Sequence, residues 1–210
     1  MIPLRCSDLG FERVSAPGER VMLGGFGGEF QRSKLVAFRD DSMVVEPLMC
    51  LLARIDCPCK GRADWMGRDL ASASDQEFTR HRDRSIGFLF SHPHLLPSFS
   101  VGENVAMPFF RLCGKGEEAA SLRVAQVLDF SGLQLLGSES LECLGDEELW
   151  RLAFARAIVH DPGTLAAVSG PSSALLPLAR RYAAERGALV LWAGEAAEAY
   201  ADRVVELGEK

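Results

Sequence analysis

The sequence predicts an α/β fold: a parallel sheet with helices on its faces, preceded by a small antiparallel sheet. Two patterns carry this expectation. From Thr164 onward, short apolar runs alternate with helical segments, the order that builds a parallel sheet. The first quarter instead holds short apolar runs punctuated by Ala16-Pro17-Gly18 and Gly24-Gly25-Phe26-Gly27-Gly28. That punctuation reads as antiparallel strands, with the glycine cluster as a hairpin turn. A chain of 210 residues, 48% apolar and 25% charged, suits one domain (1–210) with a sizeable core.

The elements follow in order. Lys34 to Phe38 (KLVAF) reads as a buried strand, and Met43 to Ile55 as a helix that ends before Pro58. Gly61 to Leu70 reads as a hairpin strand and turn, and Ile86 to Phe90 as a further apolar strand. Glu117 to Phe130 places Val124, Val127 and Leu128 at helical spacing. Asp146 to Val159 does the same with Leu149, Leu152, Ala153 and Ala157. After Asp161-Pro162-Gly163 come a strand (Thr164 to Val168), a helix (Ala174 to Glu185) and a strand (Ala188 to Trp192). A helix (Glu195 to Ala201) and a closing strand (Asp202 to Leu207) complete the chain.

Composition excludes several function classes. The net charge is −6, so nucleic acid is not an expected partner, because phosphate binding needs a basic surface. No run of about 18 apolar residues occurs that could cross a bilayer. The N-terminus lacks the basic-then-apolar layout of a signal peptide, so a cytoplasmic location is expected. Of the six cysteines only Cys57 and Cys59 lie close together, and no second pair completes a zinc site. His92-Pro93-His94 is read as a loop pair rather than as metal ligands.

Three segments carry more specific information: Ile86 to Pro108 (IGFLFSHPHLLPSFSVGENVAMP), Arg151 to Pro162 (RLAFARAIVHDP) and Tyr200 to Leu207 (YADRVVEL). Together with MGRDLA at Met66 to Ala71, they resemble the ATP-binding cassette (ABC) ATPases of the lipoprotein-release and macrolide-export type. The resemblance implies a P-loop NTPase-like core, an N-terminal antiparallel β subdomain and a helical insert over about 101–141.

The residues at the family's nucleotide positions depart from its pattern. A phosphate loop needs glycines whose N–H groups wrap phosphate, then a lysine and a hydroxyl. Arg39 to Leu48 reads RDDSMVVEPL, without glycine, and the lysine position falls on Val45 or Glu46. The glutamine that follows the strand "GF-x-F" is Ser91 here. The signature L-S-G-G-Q is replaced by LGDEE, which puts Gly145, Asp146 and Glu147 at a helix start. Carboxylates there stabilise the helix and repel phosphate. Thr164 to Leu176 holds no carboxylate, and the aspartate and catalytic glutamate positions fall on Ser169 and Gly170. The switch histidine position falls near Ala193. Phe11 is the one position left for adenine stacking, and it reads equally well as a core or hairpin residue.

The resemblance therefore implies no catalytic residue, no metal, and loss of ATP and magnesium binding. Removing one charge-stabilising group typically costs about 100- to 1000-fold in rate, and here every such position differs. The expected function is a catalytically inactive cassette subunit that docks on a membrane permease as a scaffold or regulator, peripheral on the inner face of the cell membrane. Docking is expected through His92, His94, Leu95, Leu96 and Phe99, although Leu95, Leu96, Val105 and Phe109 are equally readable as core. A homodimer is compatible with this expectation. The alternative is an ABC transporter ATPase with an atypical nucleotide site that powers export or lipoprotein release.

Overall fold

The computed structural model describes residues 4–14, 18, 20–39, 49, 60–65, 67–69, 86–114, 116–167 and 173–206. They form two sheets. Strands β1 (Leu4–Val14), β2 (Arg20–Phe30), β4 (Lys60–Trp65) and β5 (Arg68–Asp69) make an antiparallel sheet in the order β2-β1-β4-β5. Strands β3 (Lys34–Arg39), β6 (Ile86–Leu89), β7 (Thr164–Ala167), β8 (Leu189–Ala193) and β9 (Arg203–Glu206) make a parallel sheet in the order β6-β7-β8-β3-β9. This is the α/β architecture expected from the element order.

The parallel strands are short continuous apolar runs because both of their faces are covered. Every residue of β7 and β8 is buried. Side chains alternate between two cores, as the two-residue period of a strand requires. Leu35, Ala37, Leu165, Ala167, Val190 and Trp192 face the helices. Val36, Phe38, Ala166, Leu189, Leu191 and Ala193 face the antiparallel sheet, where Leu4, Phe30 and Trp65 meet them.

The helices are α1 (Val101–Cys113), α2 (Glu117–Phe130), α3 (Asp146–Ile158) and α4 (Leu176–Arg186). Ser100 caps α1: its hydroxyl accepts from the Glu103 N–H at 3.3 Å while Glu103 accepts from the Ser100 N–H at 2.7 Å. Donation to the carboxylate from the Ser100 N–H, and then from its hydroxyl, holds the Glu103 carboxyl below its ordinary pKa. Gly114, with φ 59°, ends α1 in the left-handed conformation that glycine adopts without strain. Arg123 of α2 reaches across to donate to the Val159 and Ile158 carbonyls at 2.7 and 3.1 Å. It thereby caps the Val159 carbonyl at the end of α3 and adds a second donor to the Ile158 carbonyl, which also accepts from the Asp161 N–H at 3.0 Å. Tyr182 of α4, buried, donates its hydroxyl to the Pro162 carbonyl at 2.8 Å.

Two expectations need correction. Gly24 to Gly28 is no hairpin turn: these residues lie inside β2, paired with β1 across two register irregularities. Glycines suit such bulged pairing because the backbones can approach closely. Glu195–Tyr200 forms a 3-10 helix rather than an α-helix. The expected helix at 43–55 lies outside the described residues except Met49, which is helical and buried.

Candidate functional site

All five strands of the main sheet run parallel, so their C-terminal ends share one edge. In open parallel sheets ligands gather at this edge. Ser91 follows β6 here, Ala193 ends β8, and Arg39 ends β3. Positions 45 and 46 after β3, and 169 and 170 after β7, lie outside the described residues. So do the Phe11 side chain and the Cys57–Cys59 pair.

The described groups at this edge are already engaged or apolar. Ser91 is exposed, with its hydroxyl 3.2 Å from His92 Nδ1. Ala193 is a buried methyl of the strand, and the next residue, Gly194, donates its N–H to the Phe38 carbonyl at 3.1 Å. Arg39 forms a two-pronged ion pair with Glu198 and a second with Glu206 at 3.0 Å. The Arg39 guanidinium accordingly keeps the Glu198 carboxyl below its usual range.

At the start of α3 a side chain from the helix's own first turn takes up one backbone donor. The Gly145 N–H donates to Glu148 Oε2 at 2.9 Å. Glu147 accepts from Arg151 at 3.0 and 2.7 Å, and Arg151 also donates to the Ser131 carbonyl at 3.3 Å. Asp146, Glu147 and Glu148 all stand in the first turn. A free helix N-terminus attracts anions; one whose first turn already carries three carboxylates does not.

A groove of about 590 Å³ opens beside β6. Its floor includes Gly87 and Phe88, and its walls include Met107, Pro108 and Leu112 of α1. Gly87 also fixes how β6 packs: a Cβ there would sit 2.2 Å from the Ala157 carbonyl oxygen, so only glycine lets β6 lie against α3. Among the expected docking residues, His94 and Leu96 line the groove. Leu95 packs against the core, and His92 and Phe99 are exposed outside it. Val105 and Phe109 are buried core residues.

The loop before α1 is built to hold one shape. The Asn104 side chain, 0% exposed, accepts from the Leu96 N–H at 2.9 Å. Its amide donates to the carbonyls of Leu96, Phe99 and Ser100 at 3.1, 3.2 and 3.0 Å. Arg156 of α3 donates to the His94 carbonyl at 2.6 Å, where His94 adopts the left-handed region with φ 48°. Burial lowers the Arg156 pKa, but an arginine remains charged. A ring ladder leads along the loop: Phe88 to Phe90 at 5.8 Å, Phe90 to His94 at 5.7 Å, His94 to His92 at 6.0 Å.

Sequence reading missed Asn104, Arg156 and Arg111, the last of which lines the groove beside β6. Asn104 did leave a signal, since it is a polar residue on the α1 face that carries Val101 and Val105. Among the described residues no group of three metal-ligating side chains occurs.

No protein-family model matches the chain. It is 34% identical over 163 residues to the lipoprotein-releasing system ATP-binding protein LolD of Pseudomonas fluorescens, covering 76% of this chain and 70% of that protein. It is 33% identical over 128 residues to the LolD of Bacteroides fragilis, covering 61% and 58%. The chain thus spans little more than half the length of the Bacteroides relative. Among solved structures, it superposes on the ATP-binding cassette MJ0796, a dimer in a post-hydrolysis state bound to ADP and Pi. The TM-score there is 0.82 at 19% identity, covering 97% of this chain and 94% of that one, which speaks to the fold alone.

Proposed function

This chain belongs to the family of ABC ATP-binding proteins that includes the LolD proteins of lipoprotein-releasing systems, and from that premise we propose that it is a cassette subunit of a transport system that does not hydrolyse ATP. It docks on a membrane permease and acts there as a scaffold or regulator. The observation that carries this reading is the start of α3. Where the family presents a signature loop to phosphate, this chain presents Asp146, Glu147 and Glu148, with the Gly145 N–H already bound by Glu148.

Other features support the same reading. The residues do not fit MgATP. Positions 39–48 contain neither glycine nor lysine, and Thr164 to Leu176 contains no carboxylate. Arg39 is committed to two carboxylates, and Ala193 offers a methyl where the family has a histidine. ABC nucleotide sites join the phosphate loop of one subunit to the signature of the other. This chain departs at both halves, so it would complete neither site beside an active partner, and a silent half of an asymmetric ATPase is disfavoured. Among the described residues no helix is long and apolar enough to cross a membrane. A peripheral position, held by the permease through the groove beside β6, follows from the proposal. So does a single unit over 1–210 with 101–141 as its helical insert.

The test is calorimetry of the purified chain with MgATP, beside a phosphate-release assay. No heat of binding up to about millimolar nucleotide is expected, and no turnover. Micromolar binding that weakens when residues in 39–48 are changed would overturn the proposal.

A further inference from the structure

Two exposed histidines stand together on the loop after β6. The rings of His92 and His94 lie 6.0 Å apart, centre to centre. The backbone that brings them together is held in an uncommon shape. His94 sits at φ 48°, in the left-handed region that residues with a Cβ seldom adopt. Such conformations persist where the surroundings over-determine them. Here Arg156 of α3 donates to the His94 carbonyl at 2.6 Å, and Asn104 binds both the N–H and the carbonyl of Leu96, two residues on. Pro93 fixes φ between the two histidines. The rings themselves are little committed. The Ser91 hydroxyl lies 3.2 Å from His92 Nδ1. Among the described residues His92 Nε2 and both ring nitrogens of His94 have no hydrogen-bond partner.

We propose that His92 and His94 together ligate a divalent transition-metal ion of the zinc class, with water filling its remaining positions. The spacing fits. An ion about 2.0–2.1 Å from each ring nitrogen sets the two ring centres roughly 5–6.5 Å apart, according to the angle at the metal, and 6.0 Å falls inside that span. With Nδ1–H donated to the Ser91 hydroxyl, His92 keeps its lone pair on Nε2, and a hydroxyl behind a metal-bound imidazole holds the ring in place. Because the loop is already fixed by Arg156 and Asn104, binding orders little that was free. The neighbouring charges choose the kind of ion. Arg111 and Arg156 line the groove that His94 also lines. Their positive field opposes a hard cation such as magnesium or calcium, which needs carboxylates, and no carboxylate stands there. Imidazole nitrogen instead suits zinc, nickel and copper. A bound ion would cross-link positions 92 and 94 on the solvent side of the loop. The site needs no partner and stands apart from the docking reading.

The test is a zinc titration of the full chain, free of any affinity tag, read by calorimetry and by the ring proton resonances of its four histidines. The resonances of His92 and His94 should move together and level off at one ion per chain, while those of His81 and His160 stay in place. His92→Ala and His94→Ala should each weaken binding by about tenfold or more, and Ser91→Ala, which removes the hydroxyl behind the ring, by about tenfold. Circular dichroism confirms that each variant is folded, and all three side chains are exposed. The close pair Cys57 and Cys59 is the competing zinc ligand, so the titration is repeated on the Cys57→Ser, Cys59→Ser double variant, where the two histidine resonances should respond as before. Zinc bound with those resonances unmoved, binding indifferent to His92→Ala or His94→Ala, or a histidine response lost with the two cysteines would overturn the proposal. So would the absence of any response up to a tenfold molar excess of zinc.

Discussion

Replacing Asn104 with alanine tests whether the loop before α1 owes its shape to one side chain. The substitution removes four hydrogen bonds, to the Leu96 N–H and to the carbonyls of Leu96, Phe99 and Ser100. These losses are unequal. The Leu96 carbonyl still accepts from the Phe99 N–H, and the Ser100 carbonyl still accepts from the Asn104 backbone N–H. The Leu96 N–H and the Phe99 carbonyl lose the partner that Asn104 supplied. At about 1 kcal/mol per lost bond, and more where a group becomes unsatisfied, the cost comes to roughly 2–3 kcal/mol. For a domain of this size each kcal/mol shifts the melting temperature by about 2–4 °C, so a fall of roughly 4–12 °C is expected. Asn104→Asp keeps the acceptor for Leu96 but turns a negative charge toward three carbonyls, and should cost at least as much. Urea denaturation gives the stability, and hydrogen exchange resolved at the Leu96 amide reports the loop. An Asn104→Ala protein within about 0.5 kcal/mol of the parent, with unchanged exchange at Leu96, would refute the reasoning.

Further outcomes follow from other contacts. Gly87→Ala should destabilise the fold by on the order of 3 kcal/mol in urea, because the new Cβ meets the Ala157 carbonyl and β6 must move from α3. Burial raises the Asp202 pKa, but bonds from Arg180, the Leu35 N–H and Lys34 more than offset it, and the net shift is downward. A depressed carboxylate gives stability that is present above its unfolded pKa and is lost as the pH falls through the folded one. Asp202→Asn should therefore be less stable than the parent at neutral pH, and thermal melts at decreasing pH should show the gap closing below the ordinary aspartate value. Glu148→Ala removes the acceptor for the Gly145 N–H and should cost about 0.5–2 kcal/mol in the same urea assay. A glycine-rich phosphate loop with its lysine, grafted in place of 43–48, should bring back at most weak nucleotide binding. Steady-state phosphate release by that variant above a matched control would count against the proposed function.

Much of this architecture is legible in the sequence because parallel strands are simple objects. KLVAF, TLAA and LVLWA are buried on both faces, so each reads as an unbroken apolar run. The glycine cluster at 24–28 misled because the same residue serves a turn and a bulged strand, and only the pairing partner decides between them. Asn104, Arg111 and Arg156 were missed for a different reason. Periodicity tracks apolar side chains, whereas these three act through carbonyls or open space that the fold brings close. Arg156 meets His94 across 62 positions of chain, a proximity that no local pattern encodes. The positions most telling for nucleotide chemistry, 45, 46, 169 and 170, are argued from residue identity alone.

The two-sided sheet also sorts the protein's fluorescence. Of three tryptophans, Trp65 lies in the core shared with the antiparallel sheet, its indole N–H 3.4 Å from the Thr164 hydroxyl. Trp192 is buried in the core under the helices, and Trp150 packs at that core's margin. The wall of strands between them separates the emitters by side. Single-tryptophan versions would turn each half of the molecule into its own optical reporter. A segment seating against α1 would then be seen first by the indoles on the helical side, while Trp65 reports whether the disturbance crosses the sheet.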